Sequence, residues 1–294
     1  MPQQAFKRVR TRQPQGAARI DWANPLARGL VIGGTGGTYA APPMAGQLTV
    51  QAGSPSISVG ALGLGARFNG GLERFVGPIL PSLSGPFTLE VLCAITAAPS
   101  LAGFVSVGRA GATGTSRGLL AFQGALNRNI YFWGEGADIN SGVEWRIDGA
   151  AQHVFVTSGG VGTAMRFYRD GAQIASALTP ANLIATTGTV PFQVGDTGQT
   201  WNSSPPGIIF KSSIYSRELQ PVEIAALTAK PWRLFASRAL ILQSAAIVQL
   251  LRPAQTFKRT RTRQPQGAVR PAFAETTFLI SRWPGLAQPI NARP

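Results

Sequence analysis

Every odd-numbered residue of the segment 87–95 is apolar, and this alternation leaves few folds open to the chain. The residues concerned are Phe87, Leu89, Val91, Cys93 and Ile95. Because successive side chains of a β-strand point to opposite faces of a sheet, the pattern predicts a half-buried strand. Cys93 is then expected to be a small core residue rather than a reactive thiol.

Other segments show strand patterns as well. Alternating apolar and charged residues predict a strand at 143–148. The Asp170-Gly171 step predicts a type I′ hairpin turn within 165–175, because that turn needs positive φ angles. Three apolar residues of a late strand are expected to share one face, namely Ile208, Phe210 and Ile214. Shorter strands are expected at 65–69, 102–108, 117–123, 128–134 and 152–158.

The composition favours strands over helices. Glycine and proline are abundant, at 35 and 22 residues, and only 13% of the residues are charged. One short helix is expected near 221–229, where Pro221 fits the first turn and alanine and leucine favour the helix. Many strands in succession without alternating helices predict an all-β fold built as a two-sheet antiparallel sandwich.

Cysteine and histidine are almost absent, which excludes several kinds of site. The single cysteine leaves no internal disulfide and no cysteine-based zinc site, and His153 alone offers little to a metal or a catalytic triad. The weakly polar run 239–251 is too short and too polar to cross a bilayer. No secretory signal is recognisable, so we expect a soluble protein made in a reducing compartment, without membrane insertion.

Positive charge is concentrated at the two ends of the chain. The formal net charge is +15, and segments 1–19 and 252–294 together carry 12 of it. The middle, 20–251, is nearly neutral and poor in charged residues, which suggests that partners cover much of its surface. We therefore predict a basic N-terminal docking arm (1–19), a β-sandwich body (20–251) and a basic C-terminal docking arm (252–294).

The two arms share a direct repeat. Residues 6–17 recur as 257–268 with a single difference, Val9 against Thr260. In an extended conformation one edge of each arm carries three arginines. We interpret the arms as segments that become ordered on an acidic or polar partner surface, the alternative being solvated, disordered tails. The predicted contact residues are Phe6, Arg8, Arg10, Arg12, Phe257, Arg259, Arg261 and Arg263.

An ordered set of motifs between about 60 and 230 resembles a known family. The motifs are 64–71, 87–92, 153–157 with 165–171, 192–195, 207–217 and 223–227. Together they resemble the laminin-G-like, concanavalin A-type jelly roll. The resemblance implies that the all-β sandwich is a two-sheet antiparallel jelly roll with one short helix. Together with the two arms, the predicted architecture is a jelly roll with extended N- and C-terminal arms.

The segments that flank these motifs resemble proteins encoded by tailed bacteriophages and prophages. They are 19–30 and 230–235. In that setting such jelly rolls resemble capsid decoration proteins, head fibres or tail accessory proteins. The resemblance implies a non-enzymatic structural protein of the virion, assembled in the bacterial host cytoplasm. Its partners would be other virion proteins, and we expect a homo-oligomer, with a trimer as one option.

Glycoside hydrolases share the implied fold, so catalytic carboxylates must be sought. Retaining enzymes need two carboxyl groups about 5–5.5 Å apart, whereas Glu144 and Asp148 on one strand would be about 13 Å apart. Glu135 and Asp138 lie in a glycine-rich turn, and the Glu-x-Asp-x-x-Glu signature of laminarinase-like enzymes is missing. We therefore predict no enzymatic activity, no catalytic residues and no cofactor.

A lectin-like adhesin that recognises host surface glycans is the alternative function. Lectins of this fold stack a sugar on an aromatic ring and bind it through Asp and Asn. Loops 133–140 and 196–202 contain these residue types, while core or rim aromatics beside turn-forming residues would explain them equally. The candidate residues are Trp133, Asp138, Asn140, Trp201 and Asn202.

Two further kinds of partner receive little support from the sequence. The acidic residues are too scattered to predict a calcium site, and no metal site is expected. The basic arms would neutralise phosphates, but no nucleic-acid recognition motif is present, and an acidic protein surface explains the charge equally well. We therefore do not expect nucleic acid as a partner.

Overall fold

The computed structural model describes residues 13, 18–36, 38–41, 44–80, 85–97, 101–108, 117–123, 128–133, 139–160, 162–177, 191–196 and 203–237. The chain divides into a unit 1–249, which contains every described element, and a unit 250–294. All eight predicted contact residues of the arms lie outside the described residues. So do three candidate glycan residues, Asp138, Trp201 and Asn202. The docking role of the arms and their boundaries therefore stay predictions.

Nineteen strands, one α-helix and one 3-10 turn (Pro25–Ala27) form the described structure. The early strands are β1 (Ala18–Ile20), β2 (Leu30–Thr35), β3 (Thr38–Ala41), β4 (Met44–Gln47), β5 (Thr49–Ala52), β6 (Ser56–Gly60), β7 (Gly63–Phe68), β8 (Arg74–Ile79) and β9 (Phe87–Ile95). The later elements are β10 (Leu101–Gly108), β11 (Arg117–Gln123), β12 (Asn129–Trp133), β13 (Ile139–Glu144), β14 (Ala151–Ser158), β15 (Met165–Arg169), β16 (Ala172–Ala177), β17 (Pro191–Gly195), β18 (Gly207–Tyr215), α1 (Pro221–Ala229) and β19 (Phe235–Ser237).

Two antiparallel sheets pack face to face. The seven-stranded sheet has the order β13-β12-β11-β10-β17-β8-β5. The ten-stranded sheet has the order β16-β15-β14-β9-β18-β2-β3-β4, with β7 also paired to β18 and β6 paired to β7. A small third sheet pairs β1 with β19. Apolar side chains from both large sheets form the core between them, so the predicted all-β antiparallel sandwich is confirmed.

The helix predicted at 221–229 and the strands predicted at 65–69, 87–95, 102–108, 117–123, 128–134 and 152–158 are confirmed within about two residues. The predicted hairpin is formed by β15 and β16, and its turn has φ angles of 53° at Asp170 and 86° at Gly171. In the helix, Pro221 occupies the first turn and Glu223 accepts a hydrogen bond from the backbone N–H of Gln220. The described part of the chain holds no helix that is both long and apolar enough to span a bilayer.

The prediction that β9 is half-buried is wrong, because both of its faces are covered. Every residue of β9 except Ala94 is buried. The odd positions face the core between the sheets, and a second apolar layer covers the outer face. We call this layer the outer cluster; it includes Leu92, Phe155, Ile224, Leu227, Trp232 and Leu234. Cys93 is a core residue as predicted, and burial raises the pKa of its thiol well above the ordinary value.

Two details of strand geometry also differ from the prediction. The register of β18 against β9 shifts between Ile209 and Lys211. Because this irregularity adds a residue, Ile208 and Phe210 pack with the outer cluster while Ile214 lies in the core between the sheets. The strand predicted at 143–148 ends at Glu144, and Trp145 stacks on Phe104 with ring centroids 4.1 Å apart.

Gln13 is the one residue of the first repeat that the structure describes. Its backbone N–H donates to the carbonyl of Leu62 at 3.4 Å, and its Oε1 accepts from the N–H of Leu64 at 2.5 Å. Between these two residues, Gly63 has a φ of 124°, and an added Cβ there would overlap Gln13. The first repeat therefore contacts the body of the protein at the turn between β6 and β7.

Candidate functional site

An aromatic pair lies on the outer face of the seven-stranded sheet. Ile130 and Phe132 of β12 point into the core and are almost fully buried. Because side chains alternate along a strand, Tyr131 and Trp133 point to the opposite face. Their rings meet edge to face with centroids 6.2 Å apart. Tyr131 is half-buried, whereas only 4% of Trp133 is exposed.

Strand β13 adds polar residues beside this pair. Asn140 lies directly opposite Tyr131, and Glu144 lies opposite Asn129. Residues directly opposite one another in antiparallel strands share a face with Cβ atoms about 4.5–5.5 Å apart. We call the set Asn129, Tyr131, Trp133, Asn140 and Glu144 the Tyr131 face. It places one partly exposed aromatic ring among side chains that donate and accept hydrogen bonds.

The Tyr131 face is fixed by local interactions on β13. The Oδ1 atom of Asn140 accepts from the N–H of Gly142 at 2.8 Å, in the irregular stretch where β13 departs from simple pairing with β12. Glu144 forms an ion pair with Arg128, with 3.0 Å between the guanidinium nitrogen and the carboxylate oxygen. Both side chains remain at least one third exposed. Three side chains thus remain accessible to a ligand: the amide of Asn140, the carboxylate of Glu144 and the guanidinium of Arg128.

The predicted glycan residues occupy two different settings. Trp133 is buried and supports Tyr131 from the side. Asn140 is exposed and also shapes a turn, as the alternative interpretation of this loop expects. Tyr131 was missed at the sequence level, although the alternation of Asn129, Tyr131 and Trp133 with buried Ile130 and Phe132 is a signal for an outward-facing set.

Asp196, at the start of the second predicted loop, is a buried residue of a polar cluster. It accepts from Arg74 at 3.1 Å, and its N–H donates to the carbonyl of Glu73 at 2.9 Å. Glu73 in turn accepts from the backbone N–H of Asn69. These interactions hold the ends of β8 and β17 together, which is a structural role.

Every carboxylate in the described part of the chain has a partner within the protein. Each accepts at least one hydrogen bond or forms an ion pair. In the same described ranges, no group of three or more histidine, cysteine or acidic residues is arranged to hold a metal ion.

A group of buried ionisable side chains lies beneath the outer cluster. Glu90 of β9 accepts from Lys211, from His153 Nε2 at 2.8 Å and from the hydroxyl of Tyr215 at 3.2 Å. All four side chains are between 0 and 2% exposed. We call them the Glu90 cluster. Because they are sealed from solvent, they can stabilise the fold but cannot meet a substrate.

Burial and charge pairing together set the pKa values in the Glu90 cluster. Burial alone would raise the pKa of Glu90, but the Lys211 charge and the His153 hydrogen bond outweigh it and hold this pKa at about 2. Burial lowers the pKa of His153, which the hydrogen bond to Glu90 only partly opposes. A neutral His153 donates through Nε2–H, while its Nδ1 has no hydrogen-bond partner. Burial raises the pKa of Tyr215 well above its ordinary value.

Comparison with known structures shows what the fold is similar to. Domain 4 of AbnA, a GH43 extracellular arabinanase from Geobacillus stearothermophilus solved in complex with arabinotriose, matches with a TM-score of 0.53 and 15% identity. The match covers 68% of this chain and 98% of that domain. Trypanosoma rangeli sialidase matches with a TM-score of 0.47 and 17% identity over 70% of this chain, which spans 33% of the sialidase chain.

Sequence comparison identifies the family. No curated protein matches the chain in sequence, and neither the family nor the similar structures indicate a bacteriophage origin. The sequence pattern described as the concanavalin A-like lectin/glucanases superfamily matches residues 50–225, which is more than half of the chain. The chain therefore belongs to the concanavalin A-like lectin/glucanases superfamily.

Proposed function

We propose that the protein is a non-catalytic carbohydrate-binding module that contacts sugar through the Tyr131 face. The observation that carries the proposal is the position of Tyr131, a partly exposed ring directly opposite Asn140 and flanked by Asn129 and Glu144. An aromatic ring can cover the apolar face of a sugar, and the surrounding amides and carboxylate can bind its hydroxyl groups.

The structural comparison supports this choice of ligand class. A domain of the same fold, over nearly its whole length, has been solved with arabinotriose bound. This likeness concerns the fold, so it supports an oligosaccharide as the first ligand to test without assigning the residues. The residues come from the Tyr131 face itself.

The arrangement of the carboxylates favours binding over glycoside hydrolysis. A retaining or inverting hydrolase needs two carboxyl groups that flank a sugar in an open cleft. In the described ranges, Glu73 and Asp196 hold strands together, and Glu90 is sealed beneath the outer cluster. Glu144 on the Tyr131 face is paired with Arg128 and is the only carboxylate that the register places in this set.

Replacing Tyr131 with alanine is expected to weaken oligosaccharide binding about tenfold or more, since an aromatic contact contributes about 1 kcal/mol beyond its buried area. Isothermal titration with arabinotriose, followed by a glycan array, measures the effect. Asn140→Ala is expected to lower affinity through the lost amide contacts. Trp22→Ala is the matched control, because Trp22 is a half-exposed aromatic residue of a separate loop. Equal affinity of Tyr131→Ala and the unaltered protein would contradict the proposed site.

The duplicated arms favour a second candidate function, a structural role in a virion. Near-identity of residues 6–17 and 257–268 supports two segments that bind equivalent sites on a larger assembly. In this proposal the body is a decoration or head or tail accessory protein. Other virion proteins and further copies of the chain are its partners, and the arginines of the arms meet acidic residues. Two arms on one body would raise the effective concentration of each contact.

Deletion of residues 1–12 is expected to reduce occupancy on purified virions severalfold, because one of the two attachment segments is lost. This deletion keeps Gln13 and its contact with the turn between β6 and β7. Occupancy is measured by quantitative mass spectrometry of the particles, with a fold check by circular dichroism. Undiminished occupancy would rule out the docking role of the first arm.

A further inference from the structure

A cavity of about 310 Å³ lies on the outer face of the ten-stranded sheet, beside the turn between β6 and β7. Its floor is formed by small residues of three adjacent strands, Ala94, Ala151 and Gly207. Ile208 and Phe210 provide an apolar wall. The cavity therefore lies where the outer face of the sheet carries side chains too small to fill it.

The cavity is kept open by the absence of side chains. A Cβ added at Gly60 would come within 2.6 Å of the Phe210 ring. Ala94 pairs with both Ala151 and Ile208, so any longer side chain at the two alanines would enter the same space. A volume of this size is at the lower end of the range for small-ligand sites, which suits a single compact ligand.

Arg67 gives this cavity a specific chemistry. It lies opposite Ile208 on the same face and lines the cavity. Among the described residues, its guanidinium group has no hydrogen bond or ion pair, whereas those of Arg128 and Arg217 are each paired with an acid. A guanidinium group without a partner, in the lining of a cavity, offers two parallel N–H donors to a carboxylate.

Two more polar side chains line the cavity and suit hydroxyl groups. Asn69 directs its NH₂ group to Glu73 at 3.2 Å, which leaves its carbonyl oxygen available as an acceptor. The Thr96 hydroxyl donates to the carbonyl of Pro206 at 3.2 Å and can accept from a ligand. One cationic donor and two acceptors beside an apolar wall match a small polyhydroxylated acid.

We infer that this cavity binds an acidic monosaccharide unit, with the carboxylate on Arg67, hydroxyl groups on Asn69 and Thr96, and the ring against Ile208. The site belongs to the ten-stranded sheet, whereas the Tyr131 face belongs to the seven-stranded sheet. This second site goes beyond the proposed function, and its test does not depend on sugar binding at the Tyr131 face.

The test uses the full chain, with D-glucuronate as the probe. Binding is monitored by heteronuclear NMR titration at physiological salt. D-glucose and inorganic phosphate are titrated in parallel. Glucuronate is expected to bind, and Arg67→Gln is expected to weaken it about tenfold or more through loss of the charge-assisted pair. Ala151→Leu is expected to abolish binding by filling the cavity. Arg19→Gln, which changes an exposed arginine of β1, is the matched control.

Three results would overturn the inference. Glucose that binds as tightly as glucuronate would remove the role of Arg67, and phosphate that binds as tightly would show a general anion site. Loss of glucuronate binding in Tyr131→Ala, with Arg67→Gln unaffected, would place the ligand on the other sheet. Failure of arabinotriose to bind would leave this outcome unchanged, so the two proposals are tested independently.

Discussion

Replacing Glu90 with glutamine is expected to lower the free energy of unfolding by about 3–5 kcal/mol at neutral pH. The change leaves Lys211 as a fully buried charge without its partner. It also weakens the acceptor for His153 and Tyr215. Guanidinium denaturation followed by tryptophan fluorescence measures the loss.

Two variants test whether the loss comes from the unpaired charge. Glu144→Gln removes the acid of an exposed ion pair with Arg128 and should change stability by less than about 1 kcal/mol. The double variant Glu90→Gln with Lys211→Met removes both charges and should recover much of the loss, because no charge is left buried alone. A single variant as stable as the unaltered protein would refute this account of the Glu90 cluster.

The same cluster predicts that acid destabilises the protein in two steps. The pKa of His153 is lower in the folded protein than its ordinary value of 6.5, and the pKa of Glu90 is about 2 against 4.5. In both cases the unfolded chain binds the proton more readily, so stability falls as the pH falls. The loss of stability that comes from His153 begins below pH 6.5. The loss that comes from Glu90 occurs between pH 4.5 and about 2. Because His153 is the only histidine, His153→Gln should remove the first step.

Replacing Gly207 with alanine is expected to cost about 3 kcal/mol or more, the second-largest effect that the structure predicts. Gly207 begins β18 with a φ of 147°, a conformation that side chains disfavour. An added Cβ would overlap the carbonyl oxygen of Ala94 and come within 2.9 Å of the Cα atom of Ile95. Both contacts are with backbone of the central strand β9, which cannot move without breaking its ladder.

Gly85 provides the control for this prediction. Its φ is 116°, and a Cβ added there would meet no atom within 4 Å. Gly85→Ala therefore carries the conformational cost without the overlap and should lose only about 1–2 kcal/mol. Chemical denaturation of both variants separates the two contributions. Equal losses in the two variants would show that contact with β9 contributes nothing.

Local patterns made much of this fold predictable. Period-two alternation and the Asp170-Gly171 step located the strands and the hairpin, because both depend on neighbouring residues only. The irregularity at Ile209–Lys211 leaves no such pattern, and it changes which face each later residue of β18 occupies. The outer cluster was missed because residues 219–235 fold back over β9, a contact between distant segments.

The candidate site was only partly visible in the sequence for the same reason. Trp133 and Asn140 were proposed from residue type, but the role proposed for Tyr131 depends on which residue of β13 lies opposite it. The sequence did contain a signal for the Glu90 cluster, since Glu90, His153 and Lys211 are charged or ionisable residues within strands rich in apolar residues. Charged residues in such strands are rarely buried without partners.

Through the contact between Gln13 and the β6–β7 turn, one residue of the first repeat is bound within the protein itself. A receptor that binds the backbone N–H and the side-chain oxygen of Gln13 would compete with two hydrogen bonds, to Leu62 and Leu64. Binding of the first repeat would then be measurably weaker in the intact chain than for the free peptide of the same sequence. The intramolecular contact would thus lower the affinity of a receptor that binds Gln13. It would not affect the affinity of a partner that binds only the upstream arginines.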